Sequence, residues 1–191
     1  MPFITMSAVL VALFKDKLLA FYFPPTLEIT ISDSLLHLHE VNAKDRKTGV
    51  EEKQAWLGVI IKNIGISSAK NVEAYFNGIK SASILDFGIY RSLPLEGSWV
   101  KETLIPSIPP DIEIRFNICC VTDTNPQEIC FAFKWTPNAL LGVTCTPNQP
   151  GFFEFEIVVF ANNVRPVKRK VEMEYDGIYT NGLKIKKSSN E

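Results

Sequence analysis

The stretch "DIEIRFNI", residues 111–118, alternates apolar and polar side chains along most of its length. Its predicted apolar face consists of Ile112, Ile114, Phe116 and Ile118. A period of two residues is the pattern of a β-strand with one face in a core and the other in solvent. The two prolines that precede it, Pro109 and Pro110, interrupt regular structure. The stretch therefore predicts a half-buried strand.

Further strand candidates lie on both sides of this stretch. Alternation recurs in "TLEITI" (26–31), and "FEFEIVVF" (153–160) and "VKRKVEMEY" (167–175) form a candidate pair. The linking "ANNVRP" (161–166) contains turn-forming Asn and Pro residues, so we expect a hairpin. The remaining candidates are "LLHLHEV" (35–41), "AWLGVIIKN" (55–63), "NVEAYF" (71–76), "GSWVKETLI" (97–105) and "EICFAFKW" (128–135).

Many short strands separated by turns are typical of an all-β sandwich. A parallel sheet would need crossover helices, and no long helical pattern occurs after residue 25. We therefore predict an immunoglobulin-like antiparallel β-sandwich over residues 26–182, preceded by one N-terminal hydrophobic helix at 1–25. Residues 183–191 are expected to be a polar tail that frays. The charged segment "NAKDRKTGVEEKQ" (42–54) is predicted to be a long surface loop.

Composition narrows the functional classes. The chain has 191 residues, 20 Lys and Arg against 21 Asp and Glu, and a formal net charge of −1. This balance gives no electrostatic source for nucleic-acid binding, so no nucleic-acid partner is expected. The four cysteines lack the C-x-x-C spacing of zinc or thioredoxin-type sites. If residues 119–120 form a strand, Cys119 and Cys120 point to opposite faces and at most one of them can meet Cys130.

The N-terminal segment is mostly apolar from Met1 to Phe14 and is then interrupted by charge. Three interpretations stay open: a helix on the membrane surface, a helix packed on its own domain or a second copy, and a spanning helix. We favour a membrane anchor because Lys and aromatic side chains are typical of bilayer edges. The predicted membrane-edge residues are Lys15, Lys17, Phe21, Tyr22 and Phe23. A basic flank after a spanning helix would keep the following domain in the cytoplasm.

A family resemblance rests on "LGVIIKNIGISSAKNVEAYFNG", residues 57–78. It resembles the N-x-G-x-S-x-A-x-N-V corner of bacterial and archaeal adhesion-related, CARDB-like modules, which are immunoglobulin-like sandwiches. We expect Gly65 to take a positive φ, Asn63 and Asn71 to bond turn backbone, and Ala69 to allow close approach over the core. More widely, "FKDKLLAFYFPPTLEI" (14–29) is similar to uncharacterised prokaryotic proteins with one N-terminal membrane helix before such a sandwich. The resemblance implies a fold and a topology, with no catalytic residue.

Candidate sites for chemistry are few. His37 and His39 share a face of one predicted strand, a spacing that can bind a metal, but no third ligand is evident. The sequence contains no G-x-S-x-G motif, Gly-rich phosphate loop or metalloprotease helix. Trp56, Trp99 and Trp135 could line a ligand groove, although tryptophans more often fill a core. We therefore predict no enzyme activity, no cofactor and no metal.

The preferred hypothesis is a non-enzymatic interaction or scaffolding module at the cytoplasmic face of a prokaryotic membrane, attached through residues 1–23. Its partner would be a protein that binds a sheet edge or a surface groove. The alternative is a soluble, cytoplasmic sandwich that binds carbohydrate or peptide, with the N-terminal helix packed on the fold or in an oligomer. Membrane partition of the chain separates the two hypotheses.

Overall fold

A computed structural model describes residues 14–15, 21–31, 37–44, 49, 51–81, 92–94, 104–131, 141–179 and 182–190. Within them the chain forms twelve strands. They are β1 Leu27–Thr30, β2 His37–Lys44, β3 Glu51–Asn63, β4 Ala69–Ser81, β5 Ser92–Pro94, β6 Leu104–Ile108, β7 Glu113–Thr122, β8 Glu128–Phe131, β9 Leu141–Thr144, β10 Gly151–Ala161, β11 Val164–Tyr175 and β12 Leu183–Asn190.

The strands form two antiparallel sheets. The first sheet has the order β1-β3-β7-β8-β9. β2 also pairs directly with β3, along residues 51–56, whereas β1 pairs with residues 60–63 of the same strand. The second sheet has the order β12-β11-β10-β4-β5, and β6 also pairs with β4. The all-β fold with two antiparallel sheets is therefore confirmed, and so is the hairpin of β10 and β11 around Asn162 and Asn163.

One hydrophobic core lies between the two sheets. Phe131 of the first sheet contacts Phe76 and Phe153 of the second, with ring centroids 5.8 and 5.4 Å apart. Alternate residues of the long strands, such as Leu57, Val59 and Ile61 of β3, are wholly buried. The period-two pattern of the sequence thus becomes two apolar faces that remove each other from water, which is the main stabilising contribution.

Most of the stretch "DIEIRFNI" (111–118) lies in β7, and its burial departs from strict alternation in two places. The strand begins at Glu113, and Ile112 lies in the preceding turn with 49% of its surface exposed, so its predicted place in the core is wrong. The second departure is a bulge: Leu57 pairs with Cys119 and Gly58 with Asn117, which leaves Ile118 as an extra residue. A bulge reverses the alternation, and Ile118 and Cys119 are consequently both buried in the core.

Arg115 belongs to the predicted polar face of β7, but its side chain is buried. Arg115 is 9% exposed, and its Nη2 donates a hydrogen bond to the Trp56 carbonyl at 2.8 Å. Its side chain lies across Gly58, where an added Cβ would be 2.2 Å from Arg115 Nε. Burial lowers the pKa of the Arg115 guanidinium. The absence of a side chain at Gly58 therefore leaves the space in which the Arg115 side chain packs on the sheet.

Two segments predicted to be irregular are partly or wholly strand. The predicted loop 42–54 contains the end of β2, which reaches Lys44, and the start of β3 at Glu51. The tail does not fray over 183–190: it forms β12, in which Leu183 pairs with Tyr175 and is buried. Leu183 and Ile185, two apolar residues at period two, are sufficient to form a strand here because β11 offers an unpaired edge. Most of the predicted helix 1–25 lies outside the described residues.

Candidate functional site

Four connections meet at one end of the two sheets, which we call the apolar end. They are residues 23–26 before β1, 64–68 between β3 and β4, 109–112 between β6 and β7, and 162–163 between β10 and β11. Hydrogen bonds join them: Ile64 N donates to Thr26 O at 2.8 Å, Asp111 N to Asn63 O at 2.7 Å, and Asn162 N to Lys70 O at 2.9 Å. The predicted corner motif lies at the centre of this end.

Asn63 is the central residue of the apolar end and has no exposed surface. Its Nδ2 donates to Ser67 O at 2.8 Å and to Ile108 O at 2.9 Å, and its Oδ1 accepts from Gly65 N at 3.1 Å. The side chain therefore bonds turn backbone, as the sequence predicts, and also joins the 64–68 connection to the end of β6. A buried amide with this set of partners fixes the shape of both connections.

The other corner residues act through backbone geometry. Gly65 does not take a positive φ, so that expectation is wrong: an added Cβ would lie 2.5 Å from Thr26 N and 2.8 Å from Pro25 Cα. Gly65 is therefore required by close approach of the chain that leads into β1. Asn71 takes the left-handed conformation, with φ of 52°. Ala69 is wholly buried where β4 enters the core.

The surface of the apolar end is unusually hydrophobic. Ile64 is 51% exposed, Ile66 65% and Ile112 49%, and all three lie in connections tied to Asn63. The strand patterns of the sequence do not predict this surface. Its signal is "NIGIS" (63–67), in which isoleucines alternate with turn formers instead of with strand formers. Exposed apolar side chains that group on one end are a common feature of interaction surfaces, whereas single ones need no explanation.

The predicted membrane-edge aromatics adjoin this surface. Phe21 is 79% exposed, Tyr22 68% and Phe23 51%, and Phe21 and Tyr22 make an edge-to-face contact with ring centroids 5.2 Å apart. Ser67 Oγ donates to Phe23 O at 2.7 Å, which ties the aromatic run to the 64–68 connection. Lys15 is exposed, and Lys17 lies outside the described residues. Among the residues described, no helix has the length and hydropathy needed to cross a bilayer.

The charges around the apolar end are balanced. Lys62 lies opposite Glu28 of β1 and Glu113 of β7 in the strand register, and its Nζ is 3.9 Å from Asp111 Oδ1. Two further cations, Lys70 and Arg165, are exposed beside the β10–β11 turn. Exposed pairs of this kind contribute little to stability. These three cations and three anions sum to no net charge among the described strands and connections of the apolar end.

Most of the predicted metal and groove residues lie outside what the structure describes. His37 and His39 lie in β2 opposite Trp56 and Gln54, and their side chains are outside the described part of the chain. Within the described ranges, no group of three His, Cys, Asp or Glu side chains is placed to hold a metal ion. Trp56 is half-buried and donates to Gln54 Oε1 at 3.1 Å. Trp99 and Trp135 lie outside the described residues.

The structure describes all four cysteines, Cys119, Cys120, Cys130 and Cys145, and shows no disulfide between them. Cys120 of β7 lies directly opposite Cys130 of β8, and Cys119 points into the core, so the two neighbours do separate to opposite faces. Hydrogen bonding with Cys130 and burial raise the pKa of the Cys120 thiol, and burial raises that of Cys119. Thiols with raised pKa are poor nucleophiles at neutral pH, and their arrangement indicates packing.

Comparisons with protein-family models, with curated proteins and with solved structures give no match to this chain. The class that the geometry defines is therefore a two-sheet, antiparallel β-protein with an apolar end. The resemblance to adhesion-related modules stays a prediction from the sequence.

Proposed function

We propose that this chain is a non-enzymatic interaction module, an immunoglobulin-like sandwich held at the cytoplasmic face of a membrane through residues 1–23. The observation that carries the proposal is the exposed aromatic run Phe21–Phe23 at the end of the sandwich where the N-terminal segment joins it. Three consecutive aromatics in water are unfavourable, whereas the bilayer interface accommodates their rings. The apolar run that precedes them continues this surface in the sequence.

The immunoglobulin-like part of the proposal is supported by strand order. The first sheet places β1, β3 and β7 side by side, and the second places β11, β10 and β4 side by side. This corresponds to strands A, B and E facing strands G, F and C in an immunoglobulin-like sandwich. The strands β8, β9 and β12 are additions at the outer edges of the two sheets.

The proposed partner is a protein that adds a strand to an open sheet edge. In the described part of the chain, β12 is an edge strand of eight residues that pairs only with β11. Lys186 Nζ lies 2.6 Å from Glu174 Oε2, and Lys184 Nζ lies 3.9 Å from Asp176 Oδ2. Both carboxylates belong to β11 or to the residue that follows it, so these two lysines point back over their own chain. The backbone groups along the outer side of β12 are the proposed partners for another strand.

Membrane partition of the full chain tests the attachment. A reporter is fused after Glu191, and Leu10→Asp with Leu13→Asp is compared with the unchanged chain and with a matched control, Phe152→Asp with Ile178→Asp. The control adds the same charge at exposed apolar residues of the opposite end. A carboxylate at the centre of a spanning segment costs about 3 kcal/mol, so the N-terminal pair should release the chain from membranes.

The outcomes separate the hypotheses. Unchanged and control chains that resist carbonate extraction, with release of the N-terminal variant, support the proposal. If all three chains are soluble, the attachment is wrong and the soluble carbohydrate- or peptide-binding sandwich takes its place.

A further inference from the structure

We infer that the apolar end itself enters the headgroup and acyl-chain boundary of a bilayer, as a second contact besides the N-terminal segment. This inference rests on the proposed function, and it names the isoleucines of two connections as the inserting residues. Ile64 and Ile66 lie between β3 and β4, and Ile112 lies between β6 and β7. Each exposes about half of its surface or more to solvent.

The two connections form one surface because Asn63 lies between them. Asn63 N donates to Ile112 O at 3.1 Å, and the next residue along the chain is Ile64. The Asn63 amide also holds Ser67 O and Gly65 N, the two backbone groups that flank Ile66. Ile66 is therefore displayed on a preorganised turn, and inserting it requires little additional ordering of the backbone.

The position of the aromatic run, residues 21–23, determines which end of the sandwich faces the bilayer. Ser67 Oγ donates a hydrogen bond to Phe23 O, and Ile64 N donates one to Thr26 O. The chain between the N-terminal segment and β1 therefore runs alongside the isoleucines. A sandwich attached through that segment presents this end to the bilayer. The isoleucines and the aromatic run then lie at similar depth, within about 5–10 Å of the interface.

The charges favour a bilayer over a charged partner. Lys62, Lys70 and Arg165 equal Glu28, Asp111 and Glu113 in number, so these described side chains sum to no net charge, and all six are exposed or half-exposed. An acidic or basic partner would gain no net attraction here, whereas burial of apolar side chains does not depend on charge. Contact should therefore form on phosphatidylcholine alone and change little with the fraction of anionic lipid.

The test compares fluorescent probes at the two ends of the full chain. Ile66→Cys and Ile178→Cys are each labelled with an environment-sensitive dye, on vesicles of phosphatidylcholine with and without brominated lipid. Ile178 is 49% exposed at the opposite end, and the chain without an added cysteine gives the labelling background. The inference expects loss of iodide quenching and gain of bromolipid quenching at residue 66, with neither change at residue 178.

A second measurement does not depend on a probe. Ile64→Ser with Ile66→Ser should lower the vesicle partition of the full chain about tenfold or more, since two half-exposed isoleucines lose their apolar transfer. Phe152→Ser with Ile178→Ser, the matched pair at the opposite end, should leave partition unchanged. Thermal unfolding of both pairs shows whether the fold is retained.

Each contrary outcome has one meaning. If the chain binds vesicles and both probes stay open to iodide, the isoleucines do not insert, and membrane attachment through residues 1–23 stands alone. A chain that stays off vesicles overturns both the attachment and the inference. Protection of residue 66 without lipid, increasing with protein concentration, overturns the inference in favour of a second copy at this end.

Discussion

The two ends of the sandwich are built from similar connections and present opposite surfaces. At the apolar end the exposed residues include Ile64, Ile66 and Ile112. At the other end, which we call the polar end, the connections 123–127, 145–150 and 176–179 expose mainly Asp, Thr, Asn, Gln and Pro. Only two large apolar residues among those described, Phe152 and Ile178, are exposed near this end. One end therefore suits an apolar phase, and the other suits water.

The buried polar groups at the two ends differ as well. The apolar end is held by the Asn63 amide and the Ser67 hydroxyl, neither of which titrates in the ordinary pH range. The polar end is held by Tyr175, whose hydroxyl donates to Pro126 O, and contains the buried Cys145. Burial raises the pKa of both side chains. Ionisation at high pH therefore opposes the Tyr175 bond of the polar end, whereas the Asn63 and Ser67 bonds of the apolar end contain no titrating group.

The largest expected effect is from Asn63→Ala. The substitution leaves two carbonyls and one N–H at the apolar end without their partner, and each such group costs about 1 kcal/mol or more, so the free energy of unfolding should fall by about 3 kcal/mol. The matched control is Asn125→Ala at the polar end, where the side chain donates to Glu128 in an exposed bond and the loss should be within about 0.5 kcal/mol. Urea unfolding measures both, and equal losses would contradict the comparison.

Gly65→Ala should have the next largest effect. The added Cβ would meet the backbone of Pro25 and Thr26, which cannot rotate away as a side chain could. Overpacking of this kind costs about 2 kcal/mol, and it should displace the chain that leads into β1. Gly49→Ala is the control: nothing lies within 4 Å of its added Cβ, and its φ of +72° alone costs about 1 kcal/mol. If Gly49→Ala lowers the unfolding temperature more than Gly65→Ala does, the backbone of Pro25 and Thr26 does not require glycine at residue 65.

Tyr175→Phe tests the polar end through pH. Below pH 10 both phenols, folded and unfolded, are neutral, and removal of the hydroxyl should cost about 1 kcal/mol through the bond to Pro126. The pKa of Tyr175 is raised chiefly by burial, so above pH 10 the unfolded phenol ionises first and the unchanged chain loses stability. That loss is about 1.4 kcal/mol per pH unit, and the Phe variant does not suffer it. Urea unfolding should therefore show the unchanged chain as the more stable of the two at pH 7 and the Phe variant as the more stable at pH 11. If the difference in unfolding free energy is the same at both pH values, the raised pKa of Tyr175 does not affect stability.

The sequence predicted what depends on local period and missed what depends on distant contacts. The alternation in β1, β7, β10 and β11 is sufficient to place strands and a hairpin. The bond from Asn63 to Ile108 spans 45 positions, and the contact of Gly65 with Pro25 spans a similar gap, so neither can be read from "NIGISSA". The extra residue Ile118 is also invisible, because a bulge is set by the partner strand. Ile112 continues the alternation of β7 in sequence, but the turn at Asp111 takes it out of the core.

The smallest expected effect on stability is from Asp111→Asn at the tip of the apolar end. Its carboxylate is 88% exposed and 3.9 Å from Lys62 Nζ, so the pair contributes little, and Lys62 retains Glu28 and Glu113 opposite it in the register. Asn also tolerates the φ of 60° at this position, and the unfolding free energy should change by less than about 0.5 kcal/mol. Vesicle partition of the full chain should nevertheless increase, because a carboxylate beside Ile112 opposes entry into the interface. Asp123→Asn at the polar end should leave partition unchanged, and an equal increase there would mean that overall charge, not the apolar end, governs binding.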